Sequence, residues 1–203
     1  MLEEYNINQT TLKILGLYLD NYDQSLHVRE ISRKTKIDVK AIQLQLQKLE
    51  KINVLSSIIK GRNKDYHLNL NNMTTKYYLI MAEIFTTIIY LKKNFVIKKL
   101  VEEIENKIYG TIILFGSFSK GTSTKESDVD IFIISDAKIN TNSIVTSIDM
   151  LGQEISLKSS NRQQFLEGLR TSDPLIAEVV SNHIILKGAD EFSDIMWHHY
   201  GNR

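Results

Sequence analysis

The chain has 203 residues, no cysteine, a single proline, 42% hydrophobic and 24% charged residues, and a formal net charge of +1. That length holds one large domain or two small ones, and the composition is that of a globular protein, which excludes wholesale disorder and fibrous repeats. Without cysteine, disulfides, iron-sulfur clusters and thiolate zinc sites are excluded, so a metal would be held by carboxylate oxygen or histidine.

The small net charge conceals an uneven distribution. Between His27 and Lys64 ten lysines and arginines stand against three acids, a local excess of +7 that leaves −6 for the remainder. Segments of opposite sign suit different partners. The N-terminal MLEEYNINQT lacks the basic-then-apolar order of a signal peptide. The apolar run from Tyr77 to Leu91 is broken by Glu83 and two threonines, so no membrane span and no membrane partner are expected. A cytoplasmic location is the corresponding expectation.

In chain order, Leu12, Leu15 and Leu19 with Ile14 and Tyr18 predict a helix that stops before Asp20-Asn21-Tyr22-Asp23. HVREISRKT predicts a short basic helix with Val28, Ile31 and Thr35 on one face. After Lys36-Ile37-Asp38, where Asp38 suits an N-cap, VKAIQLQLQKLEKINV sets Ile42, Leu46 and Leu49 on a stripe opposite Lys40, Gln43, Gln47 and Lys51. VLSSIIKGRNKDYHLNL predicts two strands around the segment Lys60 to Asp65, where glycine and asparagine supply a turn.

This order of three helices and a basic hairpin, over residues 8–70, resembles in layout the winged-helix family of DNA-binding regulators. The resemblance implies DNA as a partner, with Lys40, Gln43, Gln47 and Lys51 facing a groove and Lys60, Arg62 and Lys64 of the wing meeting phosphates.

Asn71 to Thr74 is a polar break. From Lys76 to Glu105 helical periodicity runs through Tyr78, Met81, Ile84, Phe85, Ile88, Leu91, Phe95 and Leu100, with an interruption expected near Lys92-Lys93-Asn94. Beyond it TIILF, SDVDIFII and EISLK predict strands, and SIVTSIDML, RQQFLEGL and PLIAEVV predict helices. The expected fold class is α+β: an N-terminal winged helix-turn-helix over 1–72, a helical connector over 73–92, and a small mixed-sheet α/β domain over 93–203.

Chemistry concentrates between Gly116 and Asp130. The strand Thr111 to Phe115 runs into Gly116-Ser117, where backbone can approach a phosphate: Gly116 leaves room, Ser117 offers a hydroxyl, and amides at the start of a helix favour an anion. Lys120 adds a full charge. Then Ser127-Asp128-Val129-Asp130 leads into Ile131 to Ile134. Residues two apart on a strand share a face, so Asp128 and Asp130 project together, and two carboxylates so close call for a cation between them.

Together GSFSKGTSTKESDVD resembles the signature of the DNA polymerase beta-like nucleotidyltransferase superfamily, and most closely its minimal nucleotidyltransferases. The resemblance implies that Gly116 and Ser117, with Lys120 and Ser127 beside them, hold a nucleoside triphosphate. Asp128 and Asp130 would coordinate two magnesium or manganese ions. Active members carry a third carboxylate on a later strand. Glu154 is the candidate here, with Asp149 a weaker one. The activity implied is transfer of a nucleoside monophosphate to a protein or RNA hydroxyl, with pyrophosphate leaving. Relatives of this type act in toxin-antitoxin pairs, so a protein acceptor or toxin partner is an expected partner, as is a second copy of the chain. The alternative is a DNA-binding regulator whose transferase fold senses nucleotide or dimerises without catalysis.

His198-His199, beside Trp197 and Tyr200, read as a helix end packed on the domain rather than a metal site, and His183 reads as structural.

Overall fold

The structure, a computed structural model, describes residues 7–61, 63–124, 126–139 and 154–201. They form two compact units, one of Met1–Phe85 with Met196–Arg203 and one of Thr86–Ile195.

In the first unit α1 (Gln9–Leu15) is capped by the Asn8 side chain, which accepts from Thr11 N, and runs into a 3-10 turn over Gly16–Tyr18. A short strand β1 (Leu26–His27) precedes α2 (Val28–Thr35), which ends at Lys36 in the left-handed region, φ 57°. Asp38 caps α3 (Val39–Lys51) by accepting from the amides of Lys40 and Ala41. Ile42, Leu46 and Leu49 of α3 are buried with Ile14, Leu15 and Ile31, as their i, i+4, i+7 spacing requires. Gln45 is buried too, because its Nε2 donates to Thr11 Oγ1 at 2.7 Å and its Oε1 accepts from Asn8 Nδ2 at 3.3 Å. These bonds tie α1 to α3 and satisfy an amide that would otherwise be costly to bury.

Strands β2 (Leu55–Lys60) and β3 (Asn63–Leu68) pair antiparallel, and with β1 give a sheet ordered β1-β3-β2. The register pairs Lys60 with Asn63, so the hairpin turn is tighter than the segment from Lys60 to Asp65 suggested. Gly61, at φ +62°, takes the conformation that such a turn demands. Tyr18, fully buried, donates its hydroxyl to Tyr66 O at 2.9 Å, fastening the 3-10 turn to the sheet.

The periodic stretch forms two helices, interrupted where the sequence predicts. Helix α4 (Met73–Lys93) stops at Asn94, whose Nδ2 donates back to Tyr90 O at 2.8 Å, and α5 (Phe95–Ile104) follows.

In the second unit β4 (Thr111–Phe115), β5 (Val129–Ile134), β6 (Ile155–Ser160) and β7 (Ile184–Lys187) form a mixed sheet ordered β6-β5-β4-β7. Strand β5 runs antiparallel to β4 and parallel to β6, and β7 is antiparallel to β4. Helix α6 (Gly116–Lys120) follows β4; α7 (Arg162–Thr171), α8 (Pro174–Ser181) and α9 (Ala189–Gly201) follow β6 and β7. The segment SIVTSIDML, with Asp149, lies outside the described residues.

Both faces of this sheet are covered. On one, Ile97, Leu100, Val101 and Ile104 of α5 pack on Ile112, Leu114, Val129, Ile131, Ile133 and Leu186. On the other, rings run from Phe115 to Phe132, Phe165 and Phe192 with successive centroids 6.5, 5.6 and 6.3 Å apart. Strand alternation places Asp130 on this second, aromatic face with Phe132. His183 lies here, its Nδ1 2.7 Å from Val180 O and its ring 4.8 Å from Phe192, in a structural setting. In the first unit Tyr200 of the C-terminal helix end stacks on Tyr22, with ring centroids 5.3 Å apart.

Candidate functional site

The end of β4 and the start of β5 bring the glycine-serine turn and the aspartates together, since Phe115 pairs with Asp130 across the ladder. Gly116 is buried at φ +71°, and a Cβ built there would run into Asp130 Oδ2 and lie 3.0 Å from its Cγ. The carboxylate therefore rests directly on the turn, in space that only glycine leaves open. Helix α6 has five residues and no side-chain cap. One turn is too short for an appreciable macrodipole, so the backbone amides themselves are what this turn offers an anion. It is held in place by Tyr90, whose hydroxyl donates to Phe118 O at 3.0 Å and whose own pKa burial pushes up to about 12. Ser119 Oγ adds contacts with Gly116 O at 2.9 Å and Asn182 O at 2.6 Å.

Asp128 is exposed and sits one residue before β5, whereas Asp130 is half-buried within it. Burial holds the Asp130 carboxyl above the usual carboxylate range. The charges of Asp128 and Glu178 push the same way, while a hydrogen bond from Ser156 and the charge of Lys120 oppose them. A carboxylate so placed gains from a cation, and its two-residue spacing from Asp128 suits a hard divalent ion with oxygen ligands.

Glu154 lies just before the strand expected to carry it. Strand β6 begins at Ile155; Glu154 precedes it, exposed, with its carbonyl accepting from Val129 N at 2.9 Å. In the parallel register Ser156 stands beside Asp130, and Glu154 falls one step before the first pair, Val129 with Ile155. Among the described residues no group of three or more histidine, aspartate or glutamate side chains is gathered for a metal. The donors in place are thus the two aspartates, with Glu154 at the level of Asp128.

Two further residues belong to this neighbourhood and escaped the sequence reading of the site. Ser156 lies in the predicted strand EISLK, but the register that sets it against Asp130 is a tertiary fact. Glu178 comes from α8 and binds Lys120, Oε1 to Nζ 3.1 Å. Nothing in the pattern of PLIAEVV singles it out. Lys120 is therefore present as expected, but with an acidic partner. Ser127 pins its own loop: its Oγ accepts from Thr124 N at 2.8 Å and lies 3.2 Å from Thr124 Oγ1. Ser117 is half-buried on α6.

Residues 97–192 match the family model described as polymerase beta, nucleotidyltransferase. The match spans the sheet and the candidate residues from Gly116 to Glu178, and supports placing this part of the chain in the nucleotidyltransferase superfamily. No curated protein matches the chain. Among solved structures, the chain is similar to MepR, a transcription regulator of the Staphylococcus aureus multidrug efflux pump MepA. The identity is 19%, over 52% of this chain and 74% of that one, with a TM-score of 0.35. It is also similar to a toxin-antitoxin crystallised with AMP-PNP, at 18% identity over 50% of this chain and 82% of that one, TM-score 0.35. At these scores neither likeness bears on function. No helix among the described residues is long and apolar enough to cross a membrane.

In the first unit Lys40, Gln43, Gln47 and Lys51 are all exposed on α3, on the side away from the core. The wing cations carry acidic partners: Lys60 lies 3.4 Å from Asp65, and Lys64 Nζ donates to Glu50 Oε2 at 2.7 Å. Glu50 also accepts from Ser57, and these bonds hold its carboxyl below the usual range. Arg62 lies outside the described residues.

Proposed function

We propose that the second unit binds a nucleoside triphosphate with a divalent metal and transfers its nucleoside monophosphate to a hydroxyl of a protein or RNA acceptor. The observation that carries this reading is the Asp130 carboxylate resting on Gly116, with Asp128 two residues away. There Asp128 and Asp130 would hold the metal, and the Gly116-Ser117 turn would hold the phosphates. When bound, magnesium or manganese would polarise the phosphate and lower the pKa of an attacking hydroxyl. Lys120, released from Glu178, would neutralise the triphosphate, and Glu154 is the nearest later-strand carboxylate for a base. The first unit serves as a DNA-binding module, which its +7 segment and exposed α3 face support.

A second reading has its own observation. Ser156, not an acid, stands beside Asp130, which favours a unit that binds nucleotide and metal without turnover and passes that state to the DNA-binding unit. Incubation with magnesium or manganese and each labelled triphosphate, with cell extract as acceptor source, separates the two. Transfer by the wild type that disappears in Asp128→Asn and Asp130→Asn supports the enzyme. Saturable nucleotide binding without transfer supports the sensor. Equal labelling by wild type and both variants would sink the assignment of the aspartates.

A further inference from the structure

The Gly116-Ser117 turn belongs to a helix of five residues that has no side-chain cap. So short an element has no stability of its own, and its place depends on what grips it from outside. Hydroxyl groups of Ser119 and Tyr90 do so. Ser119 Oγ lies 2.9 Å from Gly116 O and 2.6 Å from Asn182 O. Its single proton serves one of these acceptors at a time.

Tyr90 reaches the same helix from α4, and its hydroxyl donates to Phe118 O at 3.0 Å. The ring is half-buried and packs, as does Phe118, against the core formed by α5 and the sheet. Its backbone is fixed as well: Asn94 donates to Tyr90 O from N at 3.1 Å and from Nδ2 at 2.8 Å, which pins the last turn of α4 where the ring departs. Burial pushes the phenol up to about 12, so the proton of this bond stays in place throughout the neutral range.

Phe118 O accepts a second bond, from Gly121 N at 3.1 Å. Loss of the phenol would therefore leave the carbonyl paired, and the cost of a buried unsatisfied group would not arise. What would go is the grip on the turn. Phe118 and Gly116 are two residues apart in one short helix, so whatever holds Phe118 O also sets where Gly116 and Ser117 lie against the Asp130 carboxylate. A turn already held in its binding geometry has less to order when a ligand arrives.

We propose that Tyr90 is a positioning residue for the triphosphate: its hydroxyl acts through Phe118 O to hold the Gly116-Ser117 turn against Asp130. The proposal rests on the reading of that turn as the seat of the phosphates.

Tyr90→Phe keeps the ring and removes the hydroxyl. Isothermal titration of the full chain in manganese, with a nucleoside triphosphate and separately with inorganic triphosphate, should show both dissociation constants rising about three- to tenfold, the worth of one hydrogen bond. The number of sites per chain should stay the same. A fold defect would instead lower the number of sites and leave the dissociation constants alone. Hydrogen exchange should quicken at residues 116–121 in the variant and be unchanged at 129–134. Unchanged dissociation constants, a loss confined to the nucleoside triphosphate, or exchange at 116–121 equal to that of the wild type overturns this proposal alone. Failure of the wild type to bind either triphosphate overturns the reading of the site and this proposal with it.

Discussion

Replacing Gly116 by alanine should both strain the turn and evict the Asp130 carboxylate, and the two effects can be measured apart. The φ of +71° costs an L-residue about 1–2 kcal/mol. Forcing a Cβ against Asp130, whose Cγ would lie 3.0 Å away, adds an overpacking cost of about 1–3 kcal/mol. In an Asp130→Ala background the Cγ and carboxylate oxygens are gone and only a Cβ at 3.2 Å remains, so there Gly116→Ala should cost little beyond the φ strain. The cycle should thus show a coupling of about 1–3 kcal/mol, within the range expected of residues in contact. Because the chain has two units, a global melting temperature mixes them. Hydrogen exchange of the peptide spanning 111–134, followed through urea, reports the relevant one. Metal-dependent nucleotide binding should fall sharply in Gly116→Ala. Equal costs in the two backgrounds would mean that the carboxylate does not rest on the glycine, and the site as drawn would be wrong.

The raised pKa of Asp130 makes a second prediction. Between the ordinary carboxylate range and its raised folded value the folded chain holds more protons than the unfolded one, so stability falls as pH rises through that window. Without metal, Asp130→Asn should therefore be at least as stable as wild type at pH 7, with the difference vanishing below the ordinary carboxylate range. Added manganese should stabilise wild type alone. Hydrogen exchange of the same 111–134 peptide through urea, compared between variant and wild type from pH 3 to 8 with and without manganese, checks this, and a variant less stable than wild type throughout would refute it. Third, Glu178→Gln should release Lys120 for the triphosphate. The pair is exposed and worth at most about 1 kcal/mol, so nucleotide affinity should rise by up to about fivefold with little change in stability. Calorimetric titration decides, and weaker binding would instead make Glu178 part of the metal site.

Where periodicity coincided with a chemical stop signal, the elements were legible before folding. Asp38 before an apolar stripe marked the start of α3, and Thr111–Phe115 ended where Gly116 permits a positive φ. The aspartate pair was legible because its alternation with Val129 and Ile131 is local. Strand β7 was harder to see: Ile184 to Leu186 is an unbroken apolar run, and a strand covered on both faces loses the alternation that would betray it. Long-range register was not legible at all. Strand alternation sets Glu154 and Ser156 on one side of EISLK, and only pairing with β5 decides which of them meets Asp130. Ion pairs between distant elements, Lys120 with Glu178 and Lys64 with Glu50, have no signature in sequence for the same reason.

That register also sharpens what catalysis would require. Asp128 and Asp130 supply two negative charges on one short stretch of backbone, enough to hold one divalent ion against substrate phosphates. A serine beside Asp130 keeps its carboxylate oriented without adding charge, so a first metal can bind while the position of a base is left to Glu154, at the level of Asp128 and open to solvent. Under the proposed function, nucleotide binding and turnover would therefore depend on different side chains. If it is an enzyme, Glu154→Gln should abolish transfer and leave nucleotide affinity nearly unchanged; if it is a sensor, the same substitution should alter neither.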